Sequence, residues 1–284
     1  MSNKDNDPEK EKFISQLKKI NWSEPDKVFS LIEPAIIFAD SPSKSTVGSS
    51  KLGGQPDLPD NLNWPTVDNK PMVFFGQVNL SEIKDLDKEN ILPKNGILYF
   101  FTYFPNPDSE DEADYSFLTA KKQYKVLYSD GDNSQIKPRN FPDSLITTHR
   151  FPEMPIRFQL VYRIPVTNET WKYENAKLNE KDAELFDRFT EPSDNCDMIL
   201  GTPNPIQYGV DYDWAFSYLG MTDYKNPQVK SKVDAIRPEF INLFSFQMID
   251  RFDKIGIPNC YFGIRKQDLA DKKFDNVVLV FQDT

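Results

Sequence analysis

Residues 72–80 read MVFFGQVNL and residues 96–103 read GILYFFTY. Both are short runs of aromatic and β-branched residues, bounded by Pro71, Pro93 and Gly96. Such side chains fit the pleated, half-buried surface of a strand, and the flanking residues are turn formers. The same composition predicts strands over 35–39, 124–128, 156–164, 243–249, 261–264 and 277–282. Helical periodicity is confined to fewer places. Phe13, Ile14, Leu17 and Ile20 make one stripe over 10–20. Ser23 before Pro25 and Asp26 predicts an N-cap and a short helix to Ile32. Ala183, Phe186 and Phe189 share a side over 179–190, and 267–274 reads as a short helix between the last two strands. Strands joined by short loops, with an N-terminal helix and few other helices, predict an α+β, β-rich fold of mainly antiparallel sheet. A regular βαβ alternation is missing, which excludes doubly wound and (β/α)8 barrel folds.

The 284 residues are read as an N-terminal helical segment, 1–32, and one α+β domain, 33–284. A weak internal repeat divides that domain into pseudo-repeats at about 33–150 and 195–284. Leu52-Gly53-Gly54-Gln55-Pro56, Phe74-Phe75-Gly76-Gln77 and Leu98-Tyr99-Phe100-Phe101 occur in the first. Leu200-Gly201-Thr202-Pro203, Phe244-Ser245-Phe246-Gln247 and Cys260-Tyr261-Phe262 follow in the same order in the second. The spacings differ, and an aromatic-rich chain produces such matches by chance, so the duplication stays open.

The net charge is −10. An acidic chain gains nothing from counterion release, which argues against nucleic acid as a partner. The lysines are scattered, and the apolar runs are far short of the ~20 residues that span a bilayer, which argues against a membrane. The polar N-terminus has no secretory pattern, so the expected compartment is cytoplasmic. One His and two Cys exclude a His-rich metal site, a zinc finger and a disulfide scaffold, so neither metal nor cofactor is expected.

Nucleophile and phosphate motifs fail on inspection. Gly48-Ser-Ser-Lys-Leu-Gly53 begins like a phosphate loop, but Gly54 and Gln55 stand where Lys and Ser/Thr are needed. Pro56 and Pro59 forbid the helix that would follow. His149 lies in a loop-like stretch, Cys196 and Cys260 lack an activating context, and no Gly-x-Ser-x-Gly elbow exists. The sequence from Asp130 departs from a calcium loop at Gln135 and Phe141. The acidic run 108–114 reads as a solvated loop. Gln77, Gln207, Gln247 and Gln282 sit within apolar strings. Buried amides cross-link strands or line pockets, because each must satisfy an acceptor and two donors.

Several motifs in one order resemble the YwqG-like family of uncharacterised bacterial proteins. They are Leu52 to Pro59, Asn63-Trp64-Pro65, Pro71 to Leu80, Leu92 to Phe101, Ile199 to Gln207 and Leu243 to Gln282. The resemblance covers roughly 33–284 and implies a β-rich α+β intracellular protein, with no reaction and no cofactor to carry over. It also points to a departure. The family's turn before its last aromatic strands resembles Trp-Gly-Asp-x-Gly, whereas this chain has Ile257-Pro258-Asn259-Cys260 after Asp250 and Asp253.

Catalytic residues stay unknown from the sequence. The main expectation is a non-enzymatic module that binds a small molecule or a basic protein partner, with Trp64, Gln77, Gln207, Gln247, Asp57 and Asp250 as candidate ligand-binding residues. The alternative is a carboxylate-based hydrolase using Asp57, Asp60, Asp250 and Asp253 near the repeat interface.

Overall fold

The computed structural model describes residues 7–104, 123–131, 135–166, 169–190, 197–207, 209–247 and 259–282. The first half holds α1 (Pro8–Leu17), α2 (Pro25–Phe29), β1 (Glu33–Asp40), β2 (Lys51–Leu52), β3 (Asp57–Pro59), β4 (Thr66–Val67), β5 (Lys70–Pro71), β6 (Val73–Asn79), α3 (Leu80–Ile83), β7 (Ile97–Thr102), β8 (Tyr124–Ser129) and β9 (Ile136–Pro138). The second holds β10 (Met154–Arg163), α4 (Trp171–Ala176), α5 (Glu180–Phe189), β11 (Met198–Ile199), α6 (Val210–Tyr218), α7 (Pro227–Ile236), β12 (Phe240–Phe246), β13 (Asn259–Arg265), α8 (Lys266–Ala270) and β14 (Val278–Gln282). The α+β, β-rich, mainly antiparallel reading is correct.

Ten strands form one sheet in the order β14-β13-β12-β11-β1-β10-β2-β6-β7-β8. Its centre is the long antiparallel pair β1 and β10, running from Glu33 opposite Arg163 to Asp40 opposite Ile156. On each side follow a two-residue strand and a three-strand meander. The inner faces of the two meanders meet. Phe100 of β7 stacks on Phe244 of β12 at 4.5 Å, and Phe75 of β6 meets Phe246 edge-on at 5.5 Å. Aromatic pairs of this kind add about 0.5–1.5 kcal/mol each beyond burial. This explains why both faces of these strands are apolar and the sequence shows near-continuous runs.

The outer faces are covered differently. On the first meander, Phe74, Tyr99 and Phe101 lie beneath Leu58, Ile136 and Trp64 from loops and short strands. On the second, Tyr261, Val278 and Val280 lie beneath Trp214 of α6 and Val229 and Val233 of α7. Four helices, α3, α4, α6 and α7, were not expected. Helix α6 (VDYDWAFSY) shows no apolar stripe because it is packed between the sheet and α7. Helix α7 was legible, with Asn226 as N-cap, Pro227 next, and Val229 and Val233 four residues apart.

One cap differs from expectation. Glu24, not Ser23, is the N-cap of α2, and its side chain makes no capping bond. The N–H groups of Ser23 and Glu24 instead donate to the carboxylate of Asp182 in α5, both at 2.7 Å. The N-terminal helices also share an apolar core with Ile164 and Phe186. Among the described residues, no helix is long and apolar enough to cross a membrane.

Candidate functional site

Gln77 of β6 lies opposite Lys51 of β2 in the strand register. This brings the Gln77 amide under the loop that leads to Asp57. Its Oε1 accepts from the Asp57 N–H, and its Nε2 donates to Asp57 Oδ2 and to Ser49 O, each at 2.8 Å. Asp57 Oδ2 also accepts from the Gly48 N–H at 2.9 Å and faces Lys51 Nζ at 3.2 Å. Tyr99 Oη donates to Asp57 O at 2.7 Å. Asp57 is 0 % exposed. The cluster pins the Gly-Pro-rich loop to the sheet, with Gly53 and Gly54 both at positive φ where the chain passes close to Pro152 and Glu153.

The second half contains a related arrangement. Met198 of β11 pairs with Ser245 as Lys51 pairs with Gln77, and Tyr261 lies opposite Ser245 as Tyr99 lies opposite Gln77. Tyr261 Oη donates to Asn204 O at 2.8 Å. Leu200 and Gly201 take the positive φ values of Gly53 and Gly54. Where the first half has Lys51 and Asp57, the second has Met198 and Asn204. The register therefore matches Gln77 with Ser245, two residues before Gln247.

The other expected site residues are dispersed. Trp64 donates from Nε1 to Met72 O at 2.8 Å and lies edge-on to Phe101 and Phe141. It lines an open groove of about 590 Å³ with Tyr124 and Leu127. Gln207 is exposed, and its N–H donates to Gln282 Oε1 at 3.2 Å. Gln247 is half-buried, and its N–H donates to Asp197 Oδ1 at 2.8 Å. Asp60 sits at the surface 2.7 Å from Lys137, apart from the sealed Asp57 carboxylate. Asp250, Asp253, Cys196, the acidic run 108–114, and Ile257 and Pro258 of the turn lie outside the described residues. Among the described residues, Asp57 and Gln77 are brought into contact, as a structural pin.

Gln282 is likewise a cross-link. Its Oε1 accepts from the Ile206 N–H at 2.9 Å, and its Nε2 donates to Asp213 Oδ2 at 3.1 Å. Burial pushes the Asp213 carboxyl up to about 6, against hydrogen bonds from Gln282 and Tyr224 that lower it. His149 ends a single 3-10 turn and is buried, and its Nε2 has no hydrogen-bond partner. Burial lowers its pKa below the ordinary value. Cys260 is wholly buried in β13.

A cleft of about 290 Å³ opens where the central sheet meets the helices. Its floor comprises Glu33, Pro34 and Ile36 of β1, the turn Leu200 to Pro203, and Phe240 to Asn242 of β12. Trp171 and Lys172 of α4, Trp214 of α6 and the segment 86–91 form its sides. Three of the wall carboxylates are already engaged. Glu33 accepts from Lys172 Nζ, from the Thr202 N–H at 2.5 Å and from Thr202 Oγ1 at 3.0 Å. Asp211 accepts from the Trp171 N–H at 2.9 Å and pairs with Arg237 at 3.1 Å. Asp87 accepts from the N–H groups of Ile91 and Leu92.

One group sealed beneath the floor is not engaged among the described residues. Asn242 is 1 % exposed, and its Oδ1 has no hydrogen-bond partner. Its Nδ2 donates to Ser245 Oγ at 3.0 Å and approaches Met198 O at 3.4 Å. Leu200, a non-glycine at φ 59°, packs beside it with its N–H on Asn242 O at 2.9 Å. A left-handed non-glycine backbone costs energy and tends to persist where the surrounding structure or function requires it. Asn242 is not among the residues that the sequence motifs single out. The available signal was a lone amide in the middle of FINLFSF, at 240–246.

The fold and its cleft define a β-rich α+β protein whose most enclosed polar groups serve to fix loops. The family model for the domain of unknown function DUF1963 matches residues 50–282, and the chain belongs to that family. No curated protein matches the sequence.

Proposed function

We propose that this chain is a ligand-binding module, not an enzyme, and that it takes a small molecule in the cleft between β1, β12, α4 and α6. The observation that carries this reading is the state of the cleft's polar groups. The carboxylates of Glu33, Asp87 and Asp211 are held by the protein's own donors and so are committed to structure, while Trp171 and Trp214 give the cleft apolar wall for a ligand. The volume lies at the small end of the ~300–1,000 Å³ typical of ligand sites and suits a metabolite better than a peptide.

Trp171 and Trp214 line the cleft, so occupancy is measurable through their fluorescence and through backbone amide shifts in a small fragment screen. The expected result is a set of fragments that shift the amides of Leu200, Gly201 and Trp171 and lose affinity in Trp171→Ala. A screen in which no fragment perturbs these positions rejects the reading.

A carboxylate-based hydrolase remains the second reading, favoured by one observation: the carboxyl of Asp213, raised to about 6, near Asp211 and Glu169. It predicts turnover in a broad ester and amide screen that Asp213→Asn abolishes. A cytoplasmic location, a YwqG-like bacterial origin and a basic protein partner for the acidic surface belong to the same proposal. So does an internal duplication. The matched pairs Tyr99–Asp57 and Tyr261–Asn204 support it, with a second copy that begins near β10 and so before residue 195.

A further inference from the structure

Among the described residues, Tyr224 is the one large aromatic side chain left mostly exposed, at 56 %. It lies in the turn between α6 and α7 and is held in place. One face of its ring stacks on the buried Phe216 of α6, with centroids 3.7 Å apart and the planes 16° from parallel. Its Oη lies 3.5 Å from Asp213 Oδ1, and the ring of Tyr212 lies beside it at 6.2 Å. A ring with one face pinned to the core and its tip at a carboxylate presents the other face to solvent in a fixed position.

The same helix shows what a tyrosine and a carboxylate can hold together. The Arg237 guanidinium lies 5.6 Å from the centre of the Tyr212 ring, and it donates to the adjacent Asp211 through Nε at 3.2 Å and Nη2 at 3.1 Å. A guanidinium suits this setting because its plane stacks on the ring while its fork of N–H groups meets the carboxylate. Tyr224 with Asp213 repeats the combination at the surface. Among the described residues no Lys or Arg lies over Tyr224 or pairs with Asp213. Arg237 is spent on Asp211, Glu174 and Glu169 O. Asp223, in the same exposed turn, adds a second carboxylate, and the whole chain carries a net charge of −10.

We infer that the exposed face of Tyr224, with Asp213 at its edge, is a docking point for an arginine side chain of a basic protein partner. This rests on the acidic surface taking such a partner, as proposed above, and gives that partner a site and a residue type.

Two fluorescein-labelled peptides of equal length and charge test it, one of alternating glycine and arginine and one of alternating glycine and lysine. Each is titrated, by fluorescence anisotropy, with the full chain and with its Tyr224→Phe and Tyr224→Ala variants. The arginine peptide is expected to bind the wild type and Tyr224→Phe about five-fold more tightly than the lysine peptide, and Tyr224→Ala is expected to lose that preference. Asp213 is ionised only above about 6, so arginine binding is expected to weaken as the pH falls through that value, and Asp213→Asn to flatten the dependence. The peptide comparison and the pH series on the wild type need no variant, so a misfolded Tyr224→Ala leaves the test intact. An arginine preference that survives in Tyr224→Ala, or its absence from the wild type, overturns the Tyr224 site while leaving basic peptides bound to the acidic surface. If neither peptide binds, the site and the basic-partner reading fall together.

Discussion

Lys51 Nζ lies 3.2 Å from Asp57 Oδ2, and both side chains are sealed from solvent by the loop they hold down. Removing Lys51 leaves the buried Asp57 carboxylate without its cation, and removing Asp57 leaves the Gln77 Nε2 and Gly48 N–H donors short of an acceptor while Lys51 keeps Glu153 at 3.0 Å. Asp57→Ala and Lys51→Met are each expected to cost about 3–5 kcal/mol. The second half has Met198 and Asn204 at the matching positions. The double variant Lys51→Met with Asp57→Asn is therefore expected to cost less than the sum of the single changes. Urea midpoints for the three variants and the wild type check this, and strict additivity counts against the pin.

The Asp213 carboxyl, raised to about 6 by burial, sets a pH dependence of definite sign. Between the ordinary 3.8 and 6, the folded state holds a proton that the unfolded state has released. Its contribution is complete below 3.8 and is lost as the pH rises through 6. Asp213→Asn is expected to gain stability relative to wild type above pH 6 and to lose that advantage near pH 4. Melting temperatures measured side by side across that window decide it, and a difference that does not change with pH refutes the assignment.

His149 titrates in the opposite sense. Its folded pKa lies below the ordinary 6.5, so the folded state binds less proton and stability falls as the pH drops through the depressed value. The chain has a single histidine, so one imidazole resonance reports it without assignment by mutagenesis. A midpoint at or above 6.5 is the result that contradicts burial of Nε2.

Gly263 in β13 is fixed by what it faces. A Cβ there would lie 2.3 Å from Trp214 Cδ2, and Trp214 is held by its Nε1 on Tyr261 O at 2.9 Å. Gly263→Ala is expected to cost about 1–3 kcal/mol through overpacking and to disturb the cleft wall. Trp214→Phe makes room, so the pair is expected to be less destabilising than the two costs added. Additive losses in denaturant midpoints indicate that the contact is not the cause.

Much of the sheet was readable because its chemistry is local. β6 and β7 announce themselves by aromatic and β-branched side chains over six or seven residues, and Pro and Gly mark their ends. Helix α5 was readable from Asn179 and one apolar side. Helix α6 was not, because it is covered on two sides and carries no single stripe. The capping of α2 was misread for a similar reason. Its acceptor is Asp182, in another helix more than 150 residues away.

The candidate site was less legible than the fold. The sequence by itself determined strand identity, antiparallel class and the rigid Gly-Pro loop, since these follow from backbone preferences and short-range patterning. It also singled out Asp57 and Gln77, whose polar groups stand out against apolar neighbours. Only the tertiary structure decided that these two form a sealed pin and that Trp64, Gln207 and Gln247 lie elsewhere. The cleft joins residues 33–36, 86–91, 171–172, 200–203 and 240–242. Two of its wall carboxylates, Glu33 and Asp211, are defined by the distant donors that hold them. That property belongs to a three-dimensional arrangement of donors, and no spacing along the chain encodes it.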